Sequence, residues 1–352
     1  MVFKLLKIIG PLLFSYLIFL ISAEILLNLF NVQAPLKFSN VEDYRYIESD
    51  NPLLGYEMLP NERKKLSDQN RILDIWTNSF GLRDKERNIN PNNNNTTRIA
   101  FLGDSVLMGS ELLISELPTV QLEGNFLKNH RNVEVLNFST DGYCTEAEVA
   151  LFEKKGLQFR PQVVVLNYVR NDTNNFNADL NERIVHNKFI GSYVHLIKKS
   201  IILSWSYYFL QMYRQQKAMK MQQNVFNNNI EKGLLKLTEL SKKFNFKIYV
   251  FIWPEFMKNG QILSCEDSGY EVSCPLTHLK VEDLAEKLNI QSFRLDKYFQ
   301  DDFNYLKKTK KTNLNPKDYY TEDGMHPVAR GGAAAGEIFY KILDSELKLN
   351  SF

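Results

Sequence analysis

Cysteine is scarce. The chain has three in 352 residues, too few for a small fold stapled by disulfides. Histidine, at five, leaves room for very few zinc-site constructions. An excess of either charge is missing too. Forty-three Lys and Arg stand against forty-one Asp and Glu, a formal net charge of +2. Nucleic-acid binding would need a basic footprint on one face, so nucleic acid is not an expected partner. There is no H-E-x-x-H, no paired C-x-x-C and no G-x-x-x-x-G-K to cradle phosphate. The G-x-S-x-G elbow of the α/β-hydrolases is absent as well. Mean hydropathy of −0.31 excludes a polytopic membrane protein. Hydrophobic residues at 44% and charged residues at 24% are ordinary globular usage, enough for a packed core and unlike a disordered or collagenous chain. Length alone, at about 150 residues per domain, suggests two domains.

The one long apolar run is at the start. Lys4 and Lys7 precede an uncharged stretch from Ile8 to Ala23, and Glu24 and Asn28 interrupt its continuation to Phe30. At 1.5 Å per residue, Ile8–Phe30 is long enough to cross a bilayer. The lysines belong on the cytoplasmic side, which places the rest of the chain outside. Residues 1–31 are therefore expected to be an uncleaved signal-anchor helix. Ile21 stands where a cleavage site would want a small residue before Ala23, which disfavours a cleaved signal peptide.

Residues 32–97 are polar and aromatic with Pro and Gly breaks, ending in the low-complexity loop Asn90–Thr97. They are expected to form a lead-in packed on the domain that follows. From Arg98 the pattern changes. Arg98–Gly103, Val133–Phe138, Gln162–Val169 and Lys247–Trp253 are short apolar runs of the kind buried on both faces of a parallel sheet. Between and after them, Leu117–His130, Ala147–Leu157, Ile230–Phe244, Val281–Leu288 and Pro327–Leu347 carry helical spacing, with Pro327 at a helix start. Strand and helix alternate, which predicts an α/β domain with a mostly parallel sheet over 98–348. The two-domain prior thus reduces to one domain with an anchor, a lead-in and an insertion at about 177–228. Within that insertion Ile190–Tyr213 is rich in aromatics and aliphatics but contains Lys198 and Lys199. It suits a long helix packed on the core or capping the pocket. A helix lying in the membrane interface is the second reading.

Residues able to do chemistry cluster just past the strand ends. Gly103-Asp104-Ser105 follows the first run, and ligands bind at the carboxyl ends of strands in such sheets. Asp323-Gly-Met-His326-Pro327 precedes the last helix, so one loop offers a base and a carboxylate to orient it. Thr140-Asp141-Gly142 follows the second run and Arg170-Asn171-Asp172 the third. The N–H groups of Ser105 and Gly142 and the amide of Asn171 are candidate donors to an oxyanion.

Four such blocks in this order resemble the SGNH, or GDSL-type, hydrolase superfamily over about Arg98 to Leu347. The upstream Gly55-Tyr56, Pro60-Asn61 and Asn78-Ser79-Phe80-Gly81-Leu82-Arg83 resemble, more loosely, the lead-in of its bacterial envelope members. The resemblance implies a three-layer α/β/α flavodoxin-like fold and ester hydrolysis or acyl transfer through an acyl-enzyme. It implies Ser105 as nucleophile, His326 as base, Asp323 as its orienter, and Ser105, Gly142 and Asn171 as the oxyanion hole. No metal or organic cofactor is needed by such a mechanism. The chain departs from the pattern at Val169, where Gly is usual, and at Val106, where Leu is usual.

Cys265 and Cys274 bracket a polar loop and are a candidate disulfide outside the cytoplasm; closing a loop of this size gives about 2–3 kcal/mol in the chain-entropy model. Cys144 suits a small buried residue. The first functional expectation is a membrane-anchored serine esterase in the periplasm or at the cell surface, acting on an acylated small molecule or polysaccharide. An O-acyltransferase, a non-catalytic carbohydrate-binding or assembly subunit and a phospholipid-directed lipase stay open beside it.

Overall fold

The computed structural model describes residues 2–32, 46–68, 71–91, 95–173, 194–210, 212–213, 229–256, 276–309, 318–321 and 323–349. The chain divides into two units, Met1–Tyr44 with Ala178–Asn224, and Arg45–Asn177 with Val225–Phe352.

In the larger unit two antiparallel pairs come first. Strand β1 (Tyr46–Glu48) pairs with β2 (Tyr56–Met58), and β3 (Arg63–Asp68) with β4 (Arg71–Trp76). The apolar runs then become β5 (Thr97–Gly103), β6 (Val133–Ser139), β7 (Val163–Tyr168) and β8 (Lys247–Ile252), joined by β9 (Gln291–Arg294). These five make one parallel sheet in the order β6-β5-β7-β8-β9. In sequence rank that is 2-1-3-4-5, the doubly wound order of flavodoxin-like sheets.

Side chains on a strand alternate between faces, and both faces here are covered. Ile99, Phe101, Val133, Val135, Val163, Val165, Tyr249 and Phe251 join the core that includes Leu122, Phe126, Ile338 and Phe339, from the helices Pro118–Lys128 and Ala329–Leu349. On the other face Phe138 meets Phe152 and Phe159, and Phe152 meets Phe246. There the helix Thr145–Leu151 packs on Asn229–Phe244, which contacts Leu276–Lys287. The result is a three-layer α/β/α fold, as the resemblance implies. The last helix sits close to its neighbours because it carries glycines. A Cβ on Gly331 would stand 1.8 Å from the Tyr319 carbonyl oxygen.

Two expectations need correction. Pro327 does not open the last helix, which starts at Ala329. It forms a bridge with Tyr320 instead, closing the loop that carries His326. Ile190–Tyr213 is not one long helix. Its described part is two helices, Val194–Lys199 and Ile201–Leu210, broken at Ser200, and it groups with the N-terminal helix rather than with the sheet. The lead-in, for which the sequence reading named no elements, contains the pairs β1–β2 and β3–β4.

In the smaller unit Val2–Leu29 is a single helix. Its part Gly10–Leu29 has a mean hydropathy of 2.1 and none of it is buried, so by length and composition it can cross a membrane.

Candidate active site

Strand β5 lies between β6 and β7, and the chain reverses its winding there. Ligands bind in the crevice at such a switch point, beyond the carboxyl ends of the strands. Ser105 leaves the end of β5. Fully buried Asp104 precedes it and accepts the N–H of Val106 at 2.9 Å, capping the short helix Ser105–Met108 as aspartate commonly does. Gly109, at φ +62°, ends that helix, and the guanidinium of buried Arg83 donates to the carbonyls of Met108, Gly109 and Leu112. The lead-in therefore holds the short helix that Ser105 opens.

His326 arrives from the C-terminal loop. Its Nε2 lies 2.7 Å from Ser105 Oγ and its Nδ1 2.5 Å from Asp323 Oδ2. With Nδ1–H donating to the carboxylate, Nε2 is left to accept the serine proton. Asp323 Oδ1 accepts from the Thr321 hydroxyl at 2.8 Å, from Met325 N–H at 2.8 Å and from His326 N–H at 3.0 Å. The loop is fixed from outside as well. Trp253 Nε1–H donates to the Met325 carbonyl at 3.0 Å, and Phe256 N–H to that of Gly324 at 2.9 Å.

This environment sets the charges. Burial works against ionised Asp323, but the N–H groups of Met325 and His326, the imidazole and Thr321 outweigh it and hold the carboxyl down at about 2. Burial likewise opposes a charge on His326. The bond to Asp323 and that residue's charge, then Asp104 and Asp141, overcome it and raise the imidazole above its ordinary value.

Gly142 sits at φ +71° in the turn after β6, a conformation glycine adopts without strain. Two tyrosines hold this turn. Tyr56 Oη–H donates to the Asp141 carbonyl at 2.5 Å, and Tyr46 Oη–H to the Asp141 carboxylate at 2.7 Å. In a planar trans peptide the C=O and the following N–H point in opposite directions. Tyr56 thus fixes the Gly142 N–H facing away from itself. Asn171 follows β7, and its Nδ2 donates to Asp104 Oδ2 at 2.7 Å. That uses one of two amide hydrogens. Val169 takes a negative φ and is buried in the core, so the backbone there does not require glycine.

Behind these residues lie two more carboxyls, Glu148 and Asp172, both buried. Asp172 Oδ2 accepts the Val169 N–H at 3.2 Å and the Thr145 hydroxyl at 3.3 Å. Neither oxygen of Glu148 has a partner among the described residues. Burial, then like charge from their neighbours, pushes both well above the usual carboxylate range.

The structure thus brings Ser105, His326 and Asp323 together and places Gly142 and Asn171 on loops beyond the neighbouring strands. Cys265 and Cys274 lie outside the described residues. Cys144 is buried. Arg170 pairs with Glu255 at 3.0 Å. Buried His278, packed edge-on against Tyr168, is pushed down to about 4 by burial and stays neutral. Sequence reading alone missed Tyr46, Tyr56 and Arg83 as parts of the site. Tyr56 and Arg83 do fall in the lead-in segments that carried the looser resemblance.

No protein-family model matches the chain, and no curated protein matches it. Solved structures do. An acetyl xylan esterase, AlAXEase, is 13% identical with a TM-score of 0.42, over 70% of this chain and 99% of that one. A GDSL-like lipase from Parabacteroides merdae is 16% identical with a TM-score of 0.42, over 70% and 94%. A two-domain esterase active on acetylated mannans is 14% identical with a TM-score of 0.39, over 71% and 49%.

Proposed function

We propose that the chain is a membrane-anchored serine esterase that removes an O-acyl group, acetyl first among them, outside the cytoplasm. The 2.7 Å approach of Ser105 Oγ to His326 Nε2 carries this reading. Neutral His326 takes the Ser105 proton as Oγ attacks the ester carbonyl. The oxyanion forms against the N–H groups of Ser105 and Gly142 and an amide hydrogen of Asn171. Asp323 steadies the imidazolium. The tetrahedral intermediate expels the alcohol, which leaves with the proton from His326. Water, deprotonated by the same base, attacks the acyl-Ser105 and releases the acid. With a sugar hydroxyl in place of water, the same acyl-enzyme gives O-acyl transfer. The N-terminal span puts acylated envelope or exported polysaccharide within reach as substrate.

Ser105→Ala is expected to lower turnover of 4-nitrophenyl acetate by roughly 10³-fold or more with the fold unchanged by circular dichroism. A serine-directed phosphonate is expected to label the unaltered protein at Ser105 only. Full activity in the alanine variant would overturn the assignment. Absence of labelling together with retained glycan binding would favour a non-catalytic subunit.

A further inference from the structure

Glu24 is out of place. It lies within Gly10–Leu29, the stretch apolar enough to cross a membrane, and an ionisable group there is costly unless it is paired or serves a function. Both of its carboxylate oxygens are engaged. Oε1 accepts the N–H of Ile201 at 2.6 Å, and Oε2 accepts the N–H of Ile202 at 3.0 Å and the Ser200 hydroxyl at 2.9 Å. These are free donors at the start of the helix Ile201–Leu210. Ser200 caps the helix locally, its Oγ accepting the Leu203 N–H at 3.2 Å, and a residue 177 positions away takes the first two N–H groups that this cap leaves.

We propose that Ile201–Leu210 is a second membrane element, seated in the lipid beside the span and held there by Glu24. This rests on the reading of the N-terminal helix as a membrane anchor. If Gly10–Leu29 is in the bilayer, whatever hydrogen-bonds Glu24 is at the depth of Glu24. From Glu24 to Leu29 is five residues, about 7–8 Å of helix, so the Ile201 end sits that far inside the outer edge of the span. Interfacial helices bury their apolar face about 5–10 Å deep. The side chains suit that depth. Leu203, Phe209, Leu210, Met212 and Tyr213 are exposed, while Trp205, Tyr208 and Phe209 form a mutual ring cluster. Aromatic residues concentrate at the lipid–water boundary. Lys199, just ahead of the helix and exposed, fits a headgroup phosphate. Lipid is the occupant that matches all of these together.

The test uses the full-length protein in phosphatidylcholine–phosphatidylglycerol vesicles, plain or with brominated acyl chains. Flotation of the protein with the vesicles reports the anchor. Tryptophan emission in the two lipids, compared with that of Trp205→Phe, isolates the Trp205 contribution. That contribution is expected to lose most of its intensity in brominated lipid. Glu24→Ala is expected to float as before but to lose much of this quenching. Equal Trp205 intensity in both lipids, in protein that floats, would overturn the second element and leave the anchor standing. Wild-type quenching retained in Glu24→Ala would overturn the role of Glu24. Protein that does not float would overturn the anchor and, with it, this inference.

Discussion

Asp323 uses three donors on one oxygen to stay put and the other oxygen to hold His326. That has a consequence for pH. In the role proposed for it His326 accepts a proton only when neutral, and its pKa is raised above the ordinary 6.5 by Asp323, Asp104 and Asp141 against the effect of burial. The acidic limb of kcat/KM is therefore expected to have its midpoint above 6.5, rather than at the unperturbed histidine value. Asp323→Asn removes both the charge and the tautomer control. It is expected to move that midpoint downward and to lower kcat by roughly 10⁴-fold. A pH–rate profile of each protein on 4-nitrophenyl acetate checks both, and an unmoved limb would remove Asp323 from the role. These residues were legible in the sequence because each follows an apolar run or precedes a helix, in an order that resembles a known pattern. Tyr46, Tyr56 and Arg83 were not. What they do depends on where the lead-in lands, and no spacing encodes that.

Among the elements, the lead-in changes meaning most. Its β2 strand delivers Tyr56 to the Asp141 carbonyl, and its Arg83 closes off the helix that begins at Ser105. Tyr56→Phe deletes only the hydroxyl that orients the Asp141–Gly142 peptide. A net hydrogen bond is worth about 1 kcal/mol, so kcat is expected to fall about fivefold with KM little changed. A merely structural tyrosine would cost melting temperature and leave kcat alone, and steady-state kinetics beside a thermal melt separate the two. The main strands were readable because β5, β7 and β8 are nearly continuous apolar runs. Strand β9 was not, since Gln291-Ser-Phe-Arg294 is a short, half-exposed edge strand with little hydrophobic pattern to see. Helix Leu295–Thr309 follows it without a break and was readable in principle, since Leu295, Phe299 and Phe303 recur at helical spacing and face the core. Pro327 misled because proline suits a bridge outside a helix as well as it suits a helix start.

At the scale of the whole molecule, near-neutral net charge coexists with acid groups sealed in the interior. Glu148 is held neutral by burial and by Asp172 and Asp104 close by. Its folded-state pKa is raised, so its stabilising contribution is full below about 4.5 and declines as pH rises toward the folded value. Glu148→Gln cannot ionise. In urea melts its stability relative to the unaltered protein is expected to grow between pH 5 and pH 8, and a pH-independent difference would show that Glu148 carries no such penalty. The two units were only half legible. The apolar N-terminal helix stood out by composition, but the partner of Glu24 lies 177 residues on, beyond the reach of any local pattern.

Distance along the chain has one more effect. Ser105 and His326, joined by one hydrogen bond, are 221 residues apart. On the roles proposed above, a chain emerging amino end first presents its nucleophile long before its base. Every incomplete product, whether stalled, clipped or still in transit, has a serine that nothing deprotonates. On those roles hydrolytic power arrives in a single step with the loop that carries Asp323 and His326, and a chain cut short before His326 is silent rather than weakly active.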